Sequence, residues 1–265
     1  MSYTVLLSLE IMAAFVGSYL IGSIQPSYLF GKAVKHVDIR DYGSGNSGAT
    51  NAIRVFGFKF GMLCLLIDAA KGALAVGLVK LLLGPERLGG SASLAVLIQL
   101  ICGIFVILGH NYPFYMHFRG GKGIAASLGI ILVINWKIFL FAGIPALLVL
   151  LIFRIMSVAS LTFELVVFIL FTIVYYDTHD YYWITLAAAA YPFIAFFRHR
   201  NNLSRLVAGE EPRLWGKGSN RGKTPKAAPP APAKVSAPEK PSPSYKEAED
   251  VLSKVEKSIA PDDKE

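Results

Sequence analysis

Seven apolar runs, at about residues 4–24, 60–83, 94–108, 124–134, 138–153, 157–175 and 182–197, leave this 265-residue chain few folds to adopt. At about 1.5 Å of rise per residue, most of them reach across a hydrocarbon core about 30 Å thick. Such a core offers no water to the backbone, so every peptide group pairs within a helix or within a closed barrel. The runs lack the ten-residue alternation of a membrane barrel. The fold class is therefore an all-α integral membrane protein, a polytopic helical bundle of about seven transmembrane helices. The fourth run is the shortest; if the fourth and fifth runs formed a re-entrant pair or one tilted span, the loop at 109–123 would still be cytoplasmic provided the number of later crossings stayed even.

Met1-Ser2-Tyr3-Thr4 carries no basic residue, and no small-residue cleavage site follows the first run, which is expected to stay as a span. Cys64 and Cys102 lie inside apolar runs without other ligand types nearby, so they read as inert thiols, and neither a metal nor another cofactor is expected.

Charge gives the orientation. Residues 1–197 hold 12 Lys/Arg against 8 Asp/Glu, residues 198–226 hold 8 against 2, and residues 227–265 hold 6 against 8. The basic excess thus follows the last span directly, as at the cytoplasmic leaflet, and nucleic acid is not needed to explain it. Lys32, Lys35, Arg40, Arg54 and Lys59 crowd the first long connection, whereas 84–93 has only Arg87 and 177–181 has Asp177 and Asp180. Positive-inside bias places the N-terminus outside and the C-terminus in the cytoplasm. Three polar stretches, 32–58, 109–123 and 198–226, then share the cytoplasmic side.

The first of these contains Gly43-Ser44-Gly45-Asn46-Ser47-Gly48, formally a Gly-x-Gly-x-x-Gly pattern with Asp68 twenty residues on. A dinucleotide fold needs a strand before that loop, and here a membrane span follows and contains Asp68. What survives is a nest of backbone donors with Ser44, Gly45, Asn46, Gly48, Ala49, Thr50, Asn51 and Arg54, suited to phosphate oxygens. The bland reading is a polar connector. The second stretch runs from Gly109-His110 to Gly120-Gly121-Lys122-Gly123 at a helix start. It lacks the first glycine and the Ser/Thr of a Walker sequence, so it reads as a cationic anion site and not as a nucleotide hydrolase. The third, Arg198-His199-Arg200 through Asn202, Arg205, Gly209 and Glu211, sits where the last span leaves the membrane. A solvated anchor explains it if it is taken alone; His199 adds a candidate base or phosphate donor. Asp68 and Lys71, three residues apart inside the second run, read as an ion pair that orients the helix. Glu164, in the sixth run, has no local partner.

In all three polar stretches the chain resembles the bacterial acyl-phosphate-dependent glycerol-3-phosphate acyltransferase family, the PlsY type, over residues 1–217. Asp68-Lys71-Gly72 is similar as well. Ser47, Asn201, Leu203 and Ser204 depart from its common pattern without removing a residue the chemistry needs. The resemblance implies transfer of a fatty acyl group from acyl-phosphate to the 1-hydroxyl of glycerol-3-phosphate at the cytoplasmic face of a bacterial inner membrane. It also implies catalytic roles for Ser44, Arg54, Lys122, His199 and Asn202, and substrate-binding roles for Gly45, Asn46, Gly48, Ala49, Thr50, Asn51, Gly109, His110, Gly120, Gly121, Gly123, Arg205, Gly209 and Glu211. The expected partners are these two substrates and membrane lipid.

Two other readings compete. A transporter of a phosphorylated solute would use glycine loops at broken helices, but would favour several mid-membrane charges and internal repeats. A scaffold would act through its tail. That tail divides into a Pro/Ala/Lys-rich disordered linker, 218–243, and a short charged segment, 244–265, in which Ser244 and Glu247 form a capping-box pattern and a short helix could dock on a protein partner.

Overall fold

The computed structural model describes residues 2–215, and within them every regular element is helical. The linker and terminal helix expected beyond 217 lie outside the described residues. The long elements follow the apolar runs to within about two residues at each end: α1 (Tyr3–Ser23), α4 (Phe58–Leu82), α5 (Ala92–Asn111), α6 (Ile124–Ile134), α7 (Trp136–Phe153), α8 (Met156–Val174) and α9 (Tyr181–Arg198). Between α1 and α4 the polar connection folds further, into α2 (Pro26–Lys35) and α3 (Ala49–Phe56), and α10 (Arg200–Val207) follows α9. Five segments are long and apolar enough to cross a membrane: α1, α4, α5 with the turn after it, α7 and α8. The 18 residues of α9 carry three tyrosines, a proline and an arginine, which dilute its apolar character. The 11 residues of α6 reach about 16 Å.

Small residues set the packing. Without a hydrophobic drive between helices in lipid, close backbone approach supplies the contact. A Cβ at Gly22 or Gly109 of the α1–α5 seam would overlap backbone of Val106 or Tyr19, and one at Gly72 or Gly129 of the α4–α6 seam would overlap backbone of Ala126 or Ala69. The core between these pairs is filled by Leu100, Val106, Ile130, Val167, Phe171, Ile184 and Tyr191.

Hydrogen bonds define two ends of the bundle. At one end Arg87 pairs with Glu10 of α1 at 2.6 Å, Ser93 of α5 donates to Asp180 before α9 at 2.6 Å, and Lys80 of α4 donates to the Val133 carbonyl near the end of α6 at 2.8 Å. A largely apolar cavity of about 420 Å³ opens there between α1 and α4, lined among others by Ala14, Gly17, Ala75 and Leu82. The opposite end gathers the polar stretches: Leu214 N–H donates to the Arg154 carbonyl at 2.7 Å, Arg40 donates to the Met116 carbonyl at 3.0 Å, and Ser47 donates to Gln25 at 3.0 Å.

Candidate active site

The first loop is built around one amide. Asn51, buried in α3, donates Nδ2 to the carbonyls of Ile39, Tyr42 and Asn46 at 3.2, 3.1 and 2.8 Å, and its Oδ1 accepts the Ser44 N–H at 2.9 Å. Its polar atoms are thereby engaged within the loop, which they organise. Gly43 and Gly45 take positive φ, 59° and 73°, a region open to glycine, and a Cβ at Gly43 would also strike Asn51. Asn46 accepts the Gly48 N–H at 2.8 Å, and Gly48 then begins α3 with no side chain capping it. The N–H groups of the first turn, at Ala49 and Thr50, are left for an anion. Ser44 and Gly45 are exposed at the rim, and the Ser44 hydroxyl has no partner among the described residues.

The second loop is a turn folded back onto the end of α5. Gly120 and Gly121 donate to the carbonyls of Asn111 and His110 at 3.1 and 3.0 Å. A Cβ at Gly120 would overlap the His110 carbonyl, and one at Gly121 would overlap the His110 ring. Gly123, at φ 87°, turns the chain into α6, whose N-terminus likewise lacks a side-chain cap. Gly109 faces α1, against Tyr19 and Ser23, and lets two helices approach.

The third stretch closes onto both. Lys122 Nζ donates to Asn202 Oδ1, Asn202 Nδ2 donates to Glu211 Oε1 at 2.5 Å, and Arg205 Nε donates to Glu211 Oε2 at 2.9 Å. Ser157, from the start of α8, donates to the same carboxylate at 3.0 Å. Gly209, at φ 69°, makes the turn that returns Glu211 to this cluster. Glu211 and Arg205 also act electrostatically on Arg54 of α3, whose guanidinium loses some basicity to desolvation while remaining charged.

Two groups in this cluster have altered proton affinities. Desolvation, with Arg205, Arg54 and Arg198 nearby, lowers the Lys122 ammonium to about 8, against the pull of Glu211. Desolvation and the Lys122 charge bring His199 to about 4, so its imidazole is neutral at physiological pH. His199 is 3% exposed, and its Nδ1 lies 2.7 Å from the Ala195 carbonyl, an acceptor that places the proton on Nδ1 and leaves Nε2 with its lone pair. Lys122, next to the uncapped N-terminus of α6, thus lies within the electrostatic reach of three further cations, Arg54, Arg198 and Arg205, and of one carboxylate, Glu211. The arrangement holds more than one negative charge and contains no activated Ser or Cys nucleophile among its described residues.

Arg54, Lys122, His199, Asn202, Arg205 and Glu211 are brought together as the sequence led one to expect, with Ser44 at the edge. Three participants escape sequence reasoning. Arg198 donates to the carbonyls of Gly120 and Gly121 at 3.1 and 2.5 Å and lies over the Tyr112 ring at 4.9 Å. Gln25 joins the first loop to the second by accepting from Ser47 and donating to the His110 carbonyl at 2.8 Å. Ser157 is the third. Arg198 alone carried a signal, a cation at the end of a span, and that signal equally describes an anchor.

Residues 12–209 match the model of the glycerol-3-phosphate acyltransferase family. Glycerol-3-phosphate acyltransferases from Thermoanaerobacter sp. (strain X514) and Paramagnetospirillum magneticum are 36% and 38% identical over 200 and 209 residues, covering 76% and 79% of this chain and 93% and 96% of theirs. Among solved structures, PlsY, described as an integral membrane glycerol 3-phosphate acyltransferase, in its glycerol 3-phosphate form superposes with a TM-score of 0.65 at 30% identity, over 78% of this chain and 96% of that one. A chain with this bundle, this cluster of cations and these relatives belongs to the glycerol-3-phosphate acyltransferase family.

Proposed function

We propose that this protein is a membrane acyltransferase that moves a fatty acyl group from acyl-phosphate to the 1-hydroxyl of glycerol-3-phosphate, releasing lysophosphatidate and phosphate. The observation that carries the reading is the gathering of Arg54, Lys122 and Arg205 around Glu211, with Lys122 at the uncapped N-terminus of α6. Both substrates are phosphate monoanions or dianions, and such a site holds them together.

The glycerol oxygen attacks the acyl carbon, the bond from that carbon to the phosphate oxygen breaks, and phosphate leaves with its electron pair. A mixed anhydride needs no enzyme nucleophile and no cofactor. Arg54, the Ser44 hydroxyl, the Asn46 side chain and the N–H groups of Ala49 and Thr50 hold one phosphate, with Gly45 shaping the turn. Lys122, with the N–H groups at the uncapped start of α6, takes the charge that develops as the acyl–phosphate bond breaks. Asn202, Arg205 and Glu211 fix the Lys122 ammonium in place. The neutral His199 accepts a hydrogen bond from the attacking hydroxyl, but with a pKa of about 4 it is a poor home for the proton. A phosphate oxygen of the donor is the better acceptor, which makes the reaction substrate-assisted.

The proposed topology has seven membrane-embedded helices, α1 and α4–α9, with the N-terminus outside and the site at the cytoplasmic face of a bacterial inner membrane. Positive-inside bias and the two hydrogen-bonded ends of the bundle support it. The test is to supply the detergent-purified protein with acyl-phosphate, acyl-CoA and acyl-carrier-protein donors in parallel, each with glycerol-3-phosphate. Lysophosphatidate formed with acyl-phosphate, together with released phosphate, is expected; product with acyl-CoA alone would overturn the donor assignment.

A further inference from the structure

Beneath the Gly120–Lys122 turn lies a buried triad that the mechanism above leaves idle. Asp68 and Lys71 of α4 and His110 of α5 are 1%, 5% and 2% exposed. Lys71 Nζ lies 2.8 Å from Asp68 Oδ1 and 2.8 Å from His110 Nδ1, and it donates to the Ile24 carbonyl as well. A charged ammonium has three N–H donors and no acceptor, and here three acceptors surround it. Nδ1 of His110 therefore carries a lone pair, and the proton of the neutral ring sits on Nε2. A proton on Nδ1 could reach Asp68 Oδ1, 3.3 Å away, but would stand against the ammonium at a shorter distance.

The other side of the ring faces the active site. Nε2 has no hydrogen-bond partner among the described residues, and it lies against Gly121, where even a Cβ would overlap it. The carbonyl of the same residue accepts from Gly121 N–H and from Gln25, so both loops rest on His110. An N–H that finds no acceptor in the protein is free to donate elsewhere, and an anion bound at the adjoining turn would supply the acceptor.

We propose that Asp68 and Lys71 lock His110 as a neutral imidazole whose Nε2–H donates to a phosphate oxygen of substrate bound at the Gly120–Lys122 turn. The inference rests on the acyl-transfer reading of the site. Lys71 and Asp68 are then positioning residues: Lys71 fixes the tautomer, and Asp68 balances Lys71 inside the protein. A neutral donor adds a hydrogen bond without adding to the repulsion among the four cations already present.

The tautomer is measured first, on the full chain labelled with ¹⁵N-histidine in lipid nanodiscs, by two-bond proton–nitrogen correlation. His110 is expected protonated on Nε2 only; protonation on Nδ1, or on both nitrogens, overturns the proposal. Glycerol-3-phosphate and a non-transferable acyl-phosphonate are then added to separate samples. A shift of the Nε2–H resonance with one of them identifies whose phosphate it binds, and a shift with neither overturns the proposal. Finally, Asp68→Leu and Lys71→Met are introduced together, so that no buried charge is left alone. A mixture of His110 tautomers is expected, with kcat/KM down roughly 100-fold, the size of one lost oxyanion-type donor. Mixed tautomers with unchanged kcat/KM overturn it. The tautomer is read without turnover, so a failure of the acyl-transfer reading is distinguishable from a failure of this one.

Discussion

The two ends of the bundle are held together in different ways. At the end away from the active site, helices are joined by a few side-chain contacts, chiefly Arg87 with Glu10 and Ser93 with Asp180, and an apolar cavity separates α1 from α4. At the active-site end side chains bond to loop backbone: Gln25, Arg198 and Arg40 each bridge segments distant in sequence, and Asn51 ties its own loop together. The first end has to keep helices together. The second has to hold donors in place against an anion, and a loop does this only if its own carbonyls and amides are already committed.

Changes at the two ends should therefore read out differently. The largest effect is expected from Lys122→Ala, which removes a cation that meets developing charge. We expect kcat/KM to fall by about two to three orders of magnitude, or about 2–4 kcal/mol, with the protein still extracting as a folded membrane protein. Near-normal turnover in steady-state assays would break the comparison. Gly121→Ala comes next: its methyl would enter the His110 ring, and an overpacking cost of about 1–3 kcal/mol is expected. The loss should show in activity before it shows in thermal stability, because the clash is confined to the turn.

A smaller effect comes from pH. Lys122 carries its charge below its pKa of about 8 and loses it as pH rises through that value, so kcat/KM should decline above pH 8. Lys122→Arg should remove that limb from the profile whatever its effect on the rate. The smallest effects belong to the other end. Glu10→Gln or Arg87→Gln breaks a pair in which both side chains are about one-third exposed, 33% and 36%, and should leave thermal stability little changed and activity unchanged. A large loss of turnover there would mean that the two ends are coupled.

Much of this was legible in the sequence. The apolar runs are long because lipid leaves no alternative, and the helices begin and end within about two residues of them. Arg54, Lys122, Asn202, Arg205 and Glu211 stood out because charge beside glycine or amide at a membrane boundary points to an anion. What the chain does not announce is which polar groups serve the fold and which serve the substrate. Asn51 and Gly109 look like ligands in one dimension and in the fold also hold a loop and a helix seam. Gln25 and Ser157 look like ordinary polar residues near helix starts, and their partners, His110 and Glu211, are 85 and 54 residues away. Folding of Pro26–Lys35 into α2 and Ala49–Phe56 into α3 was likewise hidden, since packing against α4 decides it more than local propensity does.

The shortness of α6 bears on how strongly the site can pull. Gly72, the contact point for the first turn of α6, lies fourteen residues into α4 from Phe58, about 21 Å along its axis. The positive end of the α6 dipole therefore opens deep within the protein, not at the water boundary. Field from a helix terminus is screened away quickly in water and persists where the surroundings polarise poorly. On the acyl-transfer reading proposed above, a phosphate held at Lys122 would meet that field where the surroundings screen it least.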